Sequence, residues 1–312
     1  PKKNVNYYFV INDSSFALNF LRQKNIPLKF IIKIKDLIFI KKRTLKFQKN
    51  LFLFDDLGIN KKLMYNLKLL SKYNKIISLE DLKNFKISNL TENSKKFTKK
   101  FFNKKISKKY NIFQGSKYMI LRNEYFSNRK KRFFLKKKNY KLLLSTGGGD
   151  LRSLSYKVAN YFRDEKKFQL SILIGPGVRT SNPIFNYQKK RPKKINLVRN
   201  NFHIKKLMLK NDIVLCTGGT TMFETMAVGK PLLSIESFLH QRSIIEFYDK
   251  KKCLNSIGSY KKITKKKIFK KLNEIVKNPK KTNYKLSNAY NCFDGLGLKR
   301  VINQINKIIY KL

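Results

Sequence analysis

The sequence DIVLCTGGTTMFETMAVGKP at Asp212–Pro231 carries the clearest indication of the fold. It opens with the apolar run Asp212–Cys216, turns at Thr217–Gly219, and continues with helical spacing over residues 220–228. An apolar run of strand length followed by glycines and then by helical periodicity predicts a strand, a sharp turn and a helix. We call Thr217–Gly219 the second glycine turn, because a similar turn precedes it in the chain.

The first glycine turn is Thr146–Gly149, within the sequence LSTGGGD at Leu144–Asp150. Glycine lets the backbone bend sharply and approach a ligand closely, and a following helix adds unpaired N–H groups and a positive dipole end. This combination predicts an anion site suited to a diphosphate. Neither turn fits the P-loop or the dinucleotide-binding fingerprint, because the required Gly and Lys spacings are absent.

Strand-like and helix-like runs alternate along most of the chain. The predicted strands are Val5–Ile11, Leu28–Ile34, Asn50–Phe54, Lys75–Ser78, Lys141–Ser145, Gln169–Ile174, Ile195–Val198, Asp212–Cys216 and Pro231–Ile235. The predicted helices are Asp13–Lys24, Asn60–Lys72, 151–163, 202–210, 220–228, 241–250, 263–277 and 296–310. The alternation indicates an α/β protein with parallel sheets. A polar, lysine-rich region at 92–139 suggests two domains, which we place at 1–125 and 126–312.

The composition limits the function classes. The formal net charge is +54, but the lysines are spread over the whole chain and accompany no nucleic-acid-binding motif, so we interpret them mainly as surface. We therefore expect non-specific affinity for polyanions and no specific nucleic-acid partner. No apolar run is long enough to span a membrane, and peripheral membrane contact stays open.

The few cysteines and histidines bear on location and cofactors. Three cysteines provide no disulfide framework, which suggests a reducing compartment and a cytoplasmic protein. The two histidines lie far apart, and we expect neither a metal site nor a cofactor.

Side chains after the second glycine turn are candidates for ligand contact. Thr220 or Thr221 can cap the helix and donate to a phosphate oxygen. Glu224 lies one turn further on, where a carboxylate can bind a ribose diol or can complete a capping box. His240 and Gln241 follow the next strand and could face the same crevice, although a lone histidine in a loop is also typical of a plain surface position.

The quoted stretches resemble a known enzyme group. Asp212–Pro231 resembles the C-terminal domain of GT-B nucleotide-sugar enzymes, in particular the glycosyltransferase family 28 C-terminal domain, which includes the peptidoglycan GlcNAc transferase. LLLSTGGGDLRSLS at Leu142–Ser155, QGSKYMILRNEY at Gln114–Tyr125 and DGLGLKR at Asp294–Arg300 are similar to the UDP-sugar hydrolases of pseudaminic acid synthesis and to spore-coat polysaccharide proteins. The first domain resembles them more loosely, at NLFLFDDLG and IISLED.

The resemblance implies two Rossmann-like domains facing across a cleft, with UDP lying mainly against the second. Carried over to this sequence, the implied contacts are Gly148 and Gly149 near the diphosphate, Gly218, Gly219, Thr220 and Thr221 to phosphate, Glu224 to the ribose, Ile174 and Gly175 near the uracil, and Gln241 to the sugar.

One family motif has no counterpart here. The resembling enzymes open with a Gly-x-Gly-His-x-x-Arg turn whose His is the proposed catalytic base, whereas Pro1–Ile11 aligns better with the strand after that unit. We expect either that roughly 25–30 residues precede this sequence, from the size of one βα unit, or that the base is lost. The catalytic residues are thus unknown, with Asp55, Asp56 and His240 as weak candidates. Asp55 and Asp56 are more typical of a solvated turn after a strand than of a catalytic base.

Three functions follow from the resemblance. The first is an enzyme of surface-polysaccharide or nonulosonic acid synthesis that hydrolyses the bond between UDP and an amino sugar. The second is a family 28-like glycosyltransferase that transfers a hexosamine from a UDP-sugar, and the third is a non-catalytic UDP-sugar binder. The sugar and the oligomeric state stay open.

Overall fold

The computed structural model describes residues 9–11, 31–33, 51–54, 75–79, 90–93, 111–127, 134–191, 195–199 and 203–310. The helices predicted at Asp13–Lys24 and Asn60–Lys72 lie outside the described residues, as do Asp55 and Asp56.

Short strands and helices of up to about four turns make up the described chain. The strands are β1 (Phe9–Ile11), β2 (Ile31–Lys33), β3 (Leu51–Phe54), β4 (Lys75–Leu79), β5 (Leu90–Asn93), β6 (Asn111–Gln114), β7 (Tyr140–Ser145), β8 (Phe168–Leu173), β9 (Asn196–Val198), β10 (Ile213–Thr217), β11 (Leu232–Glu236) and β12 (Asn255–Ser259). The helices are α1 (Leu154–Tyr161), α2 (Pro183–Lys190), α3 (Ile204–Lys210), α4 (Thr220–Val228), α5 (Arg242–Lys250), α6 (Lys265–Lys277), α7 (Pro279–Asn291) and α8 (Gly297–Tyr310).

The second half of the chain forms a six-stranded sheet in the order β12-β11-β10-β7-β8-β9. Every neighbouring pair in this sheet is parallel. The chain first builds outward from β7 through β8 to β9, and then returns to add β10, β11 and β12 on the other side. The order therefore reverses between β7 and β10, which is where ligands bind in open α/β sheets.

The first half contributes parallel pairings as well. β3, β4, β5 and β6 form a four-stranded sheet in chain order, and β1 pairs with β2. Parallel sheets in both halves, joined by helices in the second, confirm the α/β prediction.

Apolar side chains of the central strands fill a core on each face of the six-stranded sheet. Leu142 and Leu144 of β7 belong to one core, together with residues of α1 and α6. Leu143, between them, belongs to the other core, together with residues of α4 and α5. Alternate residues of an extended strand point to opposite faces, so a run of leucines is buried on both sides, as expected for a parallel sheet covered by helices.

The segment after β6 packs against the second half of the chain. Met119, Leu121 and Tyr125 are buried in the same core as α4 and α5. The 3-10 turn Ser116–Tyr118 contacts α8, and a Cβ added to Gly297 would lie 2.1 Å from the Met119 carbonyl oxygen. The domain boundary between 125 and 126 stays a prediction.

None of the described helices combines the length and the apolar character that crossing a bilayer requires.

Candidate functional site

The two glycine turns lie side by side at the carboxyl edge of the six-stranded sheet. They follow β7 and β10, which are paired in register with Cys216 opposite Ser145. A Cβ added to Gly147 would lie 3.9 Å from Thr217 Oγ1, so the turns are in close proximity. Parallel pairing of the two strands thus places both turns at the reversal point of the strand order.

The first glycine turn is fixed against the loop after β8. The Gly177 amide donates to the Gly148 carbonyl at 2.7 Å. A Cβ on Gly175 would lie 2.2 Å from the Gly147 carbonyl oxygen and 2.6 Å from that of Gly148. Gly147 itself has φ +86°, a conformation that favours glycine. Gly175 is therefore required for close backbone packing, whatever it contacts in a ligand.

The other two glycines of this turn face less crowded space. A Cβ on Gly148 would meet nothing within 4 Å, and one on Gly149 would meet the Gly177 carbonyl oxygen at 3.6 Å, an ordinary contact. Within the described part of the chain, their two amides donate to no protein acceptor. They are consequently available to an anion that approaches this edge.

Asp150 caps the helix after the first glycine turn. Its carboxylate accepts from the amides of Leu154 at 2.8 Å and Ser155 at 3.0 Å, and also from the Ser155 hydroxyl. Asn182 caps α2 through the Ile184 amide at 3.0 Å and donates to Asp150 at 3.3 Å. The expectation that both following helices present unpaired N–H groups was wrong for α1, because the chain supplies its own carboxylate there.

The helix after the second glycine turn begins at a glycine, Gly219, which has no side chain to cap it. Among the described residues no side chain caps α4, and the Gly219 amide donates to the Thr217 carbonyl at 2.8 Å. A Cβ on Gly219 would meet nothing within 4 Å. Thr220 is exposed and Thr221 is half-buried. The positive end of α4 is thus open to a negatively charged group.

Gly218 meets a different surface. A Cβ there would lie 2.8 Å from Ile245 Cδ1 and 2.9 Å from Gln241 Cβ. Gly218 therefore lets α5 and the residue before it pack closely on the second glycine turn, which explains why this position cannot carry a side chain.

Glu224 is buried under a tyrosine and an arginine from the segment after β6. It is 8% exposed, and the Tyr125 hydroxyl lies close enough to lower its pKa as a hydrogen-bond donor. Arg122 Nη2 donates to that hydroxyl at 2.8 Å. Burial raises the pKa of the Glu224 carboxyl, and the Tyr125 hydrogen bond and the Arg122 charge partly oppose this. Burial and the nearby carboxylate also raise the pKa of Tyr125.

The sequence left two roles open for Glu224, a capping-box partner and a ribose ligand. The structure tests only the first of them. The capping-box role was wrong, because the N-cap of α4 is Gly219 rather than Thr220 or Thr221, and glycine has no side chain to take part in a capping box. The ribose contact stays a prediction. Arg122 and Tyr125 lie in QGSKYMILRNEY, but nothing in their spacing indicates that they contact α4.

Gln241 and His240 lie in the 3-10 turn Leu239–Gln241, directly before α5. Gln241 is buried, and its side-chain oxygen accepts from the amides of Ser237 at 2.9 Å and Phe238 at 3.3 Å. With its Cβ against Gly218, Gln241 adjoins the second glycine turn. The imidazole of His240 is exposed and stacks on the Phe238 ring, with centroids 5.6 Å apart. The contact of Gln241 with a sugar and the catalytic role of His240 both stay predictions.

A guanidinium that the sequence did not single out lies on the same edge. Arg152 follows the first glycine turn, and its Cζ lies 5.4 Å from the centroid of the Phe238 ring and 5.0 Å from that of Tyr260. These rings follow β11 and β12, so three loops meet at this cation. Stacking of this kind holds a guanidinium in place without neutralising it.

Ile174 belongs to the core. Its side chain is buried with those of β7 and β8, and its amide donates to the Val198 carbonyl at 2.9 Å. The predicted uracil contact would therefore have to come from its backbone carbonyl. Among the residues that the structure describes, no three His, Cys, Asp or Glu side chains lie close enough to hold a metal ion together.

Comparison with known proteins agrees with this geometry. Residues 111–305 match the family model of the glycosyltransferase family 28 C-terminal domain. Uncharacterized protein MJ1062 of Methanocaldococcus jannaschii is 28% identical over 231 residues, which cover 71% of this chain and 47% of the relative. The chain thus spans about half the length of that curated relative.

Two solved structures share the architecture. MurG from Acinetobacter baumannii superposes with a TM-score of 0.60 at 12% identity, covering 96% of this chain and 90% of the other. UDP-GlcNAc 2-epimerase from Neisseria meningitidis bound to UDP-GlcNAc gives 0.58 at 12% identity, with 96% and 90% covered. These likenesses confirm the predicted GT-B fold. The family model matches more than half of this chain. The chain therefore belongs to the family defined by the glycosyltransferase family 28 C-terminal domain.

Proposed function

We propose that this chain binds the UDP part of a UDP-linked amino sugar where the two glycine turns meet, and that it acts on the bond between the sugar and UDP. The observation that carries the proposal is the juxtaposition of the two turns at the strand-order reversal, where none of the described side chains caps the start of α4. Backbone amides and a helix dipole converge there, which suits a diphosphate.

Family membership and the shared fold support this choice of ligand. The Neisseria enzyme holds UDP-GlcNAc, and a Staphylococcus aureus neighbour, MnaA, which has a TM-score of 0.59, holds UDP. We assign corresponding roles to residues of this chain. They are Gly148 and Gly149 at the diphosphate, Gly218, Gly219, Thr220 and Thr221 at phosphate, Glu224 at the ribose, Ile174 and Gly175 at the uracil, and Gln241 at the sugar.

The reaction we propose is hydrolysis. Water attacks the anomeric carbon, the bond from that carbon to the diphosphate oxygen breaks, and UDP leaves. The amides of the turns, the Thr hydroxyls and the start of α4 stabilise the negative charge that develops on the leaving group. A base must take a proton from the water. Asp55, Asp56 and His240 are our weak candidates for that base, and we propose a cytoplasmic role in polysaccharide or nonulosonic acid synthesis.

The family match favours transfer as a second candidate. A hydroxyl of an acceptor sugar would then replace water, with the same donor site and the same leaving group. Incubation with a UDP-hexosamine separates the two. Release of free sugar without an acceptor supports hydrolysis, and turnover only with an added acceptor supports transfer. Tight UDP binding without turnover in either assay would leave a sugar-nucleotide binder and overturn the catalytic proposal.

The binding site itself is tested by titrating UDP against Glu224→Ala. Loss of a buried hydrogen-bonded carboxylate should weaken UDP binding by about 1–3 kcal/mol, roughly 5- to 150-fold. Glu246→Ala is the matched control, because Glu246 is exposed on α5. Equal UDP affinity of the two variants, measured by calorimetry, would remove the ribose role of Glu224.

A further inference from the structure

An open cavity of about 380 Å³, lined mostly by polar and charged residues, lies beside two of the three cysteines. Cys253 follows α5, and Cys292 ends α7. Lys117, Lys251 and Asp294 also line the cavity. This cavity is separate from the glycine turns, and the inference drawn from it does not depend on the proposed function.

The two sulfur atoms are already close. Sγ of Cys253 lies 3.6 Å from Sγ of Cys292, and a disulfide requires about 2.05 Å. Both residues lie at helix ends rather than inside helices, so side-chain rotation and a small backbone shift can close the gap. Cys253 is 4% exposed, whereas Cys292 is half-exposed to the cavity.

The surroundings make the two thiols unequal. The hydrogen bond between the two sulfur atoms and the charge of Lys251 lower the pKa of Cys292 to about 7, against the effect of burial. The same hydrogen bond, together with burial, raises the pKa of Cys253, while Lys251 and Lys285 act in the opposite direction. Cys292 is thus the accessible thiol that ionises first, and Cys253 is the buried partner behind it.

The charge of the cavity selects the reagent. Lys117 and Lys251 contribute two positive charges, and Asp294 is engaged by Arg300 through bonds of 2.8 and 2.6 Å. A small negatively charged molecule is therefore favoured over a positive one.

We propose that Cys292 and Cys253 form a thiol–disulfide exchange site for a small anionic disulfide. The Cys292 thiolate attacks one sulfur of the reagent, forms a mixed disulfide and releases one thiolate, which takes up a proton. Cys253 then loses its proton and attacks the Cys292 sulfur. The second half of the reagent leaves as a thiolate and takes up a proton, so the protein loses two electrons and two protons, and the reagent gains them.

The experiment exposes the full chain to oxidised glutathione, a negatively charged disulfide, and follows intact mass and peptide maps. Wild type should lose the mass of two hydrogen atoms and yield a Cys253–Cys292 peptide. Cys253→Ser should retain one glutathione on Cys292, and Cys292→Ser should remain unmodified. Cys216, which is completely buried, serves as the internal control and should stay unmodified in all three.

A second measurement tests the selection by charge. Cystamine, a positively charged disulfide, should oxidise wild type several-fold more slowly than oxidised glutathione at equal concentration. Equal or faster reaction with cystamine would overturn the anionic preference. Two results would overturn the proposed exchange site. One is the absence of a Cys253–Cys292 disulfide in wild type, and the other is a rate of modification by oxidised glutathione that is the same in Cys292→Ser as in wild type. The wild-type peptide map decides the matter even if a variant fails to fold.

Discussion

Gly175 and Gly148 lie in adjoining loops but have different surroundings, which gives a matched pair of substitutions. A Cβ at position 175 would lie 2.2 Å from a backbone carbonyl oxygen, and backbone cannot easily move away. Gly175→Ala should therefore lower the free energy of unfolding by about 1–3 kcal/mol in urea denaturation. Gly148→Ala places its methyl group in open space and should change it by less than about 0.5 kcal/mol. A similar loss for both variants would contradict the described packing of the first glycine turn.

Glu224 makes stability depend on pH in a particular direction. Because burial raises its pKa in the folded state above the ordinary 4.5, the folded protein holds this proton more tightly than the unfolded chain does. The resulting stabilisation is complete below about pH 4.5 and is lost as pH rises through the folded-state pKa. Glu224→Gln carries no such proton, so the unfolding free energy of wild type minus that of the variant should fall as pH rises from 4 to 7.

Urea denaturation of both proteins across that pH range measures the difference. A difference in unfolding free energy that stays constant with pH, or that rises, would show that the Tyr125 hydrogen bond and the Arg122 charge outweigh burial.

Helical spacing predicted that Glu224 lies one turn inside a helix, and α4 confirms this. The partners come from a segment about 100 residues earlier, and no local pattern could have indicated them.

At the scale of elements, the start of α1 depends on Asp150. This buried carboxylate accepts from two helix amides and one hydroxyl, and Asn182 of the α2 cap also donates to it. Asp150→Ala leaves these donors unsatisfied and should cost about 1–3 kcal/mol of unfolding free energy. The control is Asp164→Ala, which breaks an exposed ion pair with Arg163 and should cost less than about 1 kcal/mol. Equal costs would mean that Asp150 does not fix the two helices.

Strongly apolar elements could be predicted from the sequence, and weakly apolar ones could not. The strands predicted in the second half correspond to β7–β11. The leucine and isoleucine residues of β7, β8, β10 and β11 are buried, whereas β9 is partly exposed. β12, with the sequence NSIGS, contains glycine and serine and lies at the sheet edge, so it carries little strand signal. α7 is polar and asparagine-rich, and it was missed because only a few side chains, including Leu286 and Ala289, are buried.

The residues of the candidate site also divide into those with a local sequence signal and those without one. The glycine turns were visible because glycine after an apolar strand has a local conformational reason. Asp150 had a local signal too, as an acidic residue shortly before a helix. Arg152 had no local sequence signal. Its partners Phe238 and Tyr260 follow β11 and β12, and they contact it only because these strands lie beside one another in the folded sheet.

At the scale of the whole molecule, the net charge of +54 and the proposed ligand site should respond differently to salt. A polynucleotide that contacts surface lysines displaces several counterions. Its affinity should therefore fall roughly 10³-fold or more between 50 and 200 mM salt. The proposed UDP site is built mainly from backbone amides, Thr hydroxyls and the start of α4. Few counterions are displaced when UDP binds there, and the salt dependence should be much shallower.

Fluorescence titrations of a labelled single-stranded oligonucleotide, and calorimetric titrations of UDP, over the same salt series measure both slopes. The expected result is a steep slope for the oligonucleotide and a shallow one for UDP, with UDP unable to displace the oligonucleotide at low salt. Parallel slopes would mean that UDP binds the lysine surface rather than the glycine turns. Because the lysines are spread over the whole chain, neutralising any one of them should move neither slope appreciably, whereas the start of α4 is a single place that UDP affinity should depend on.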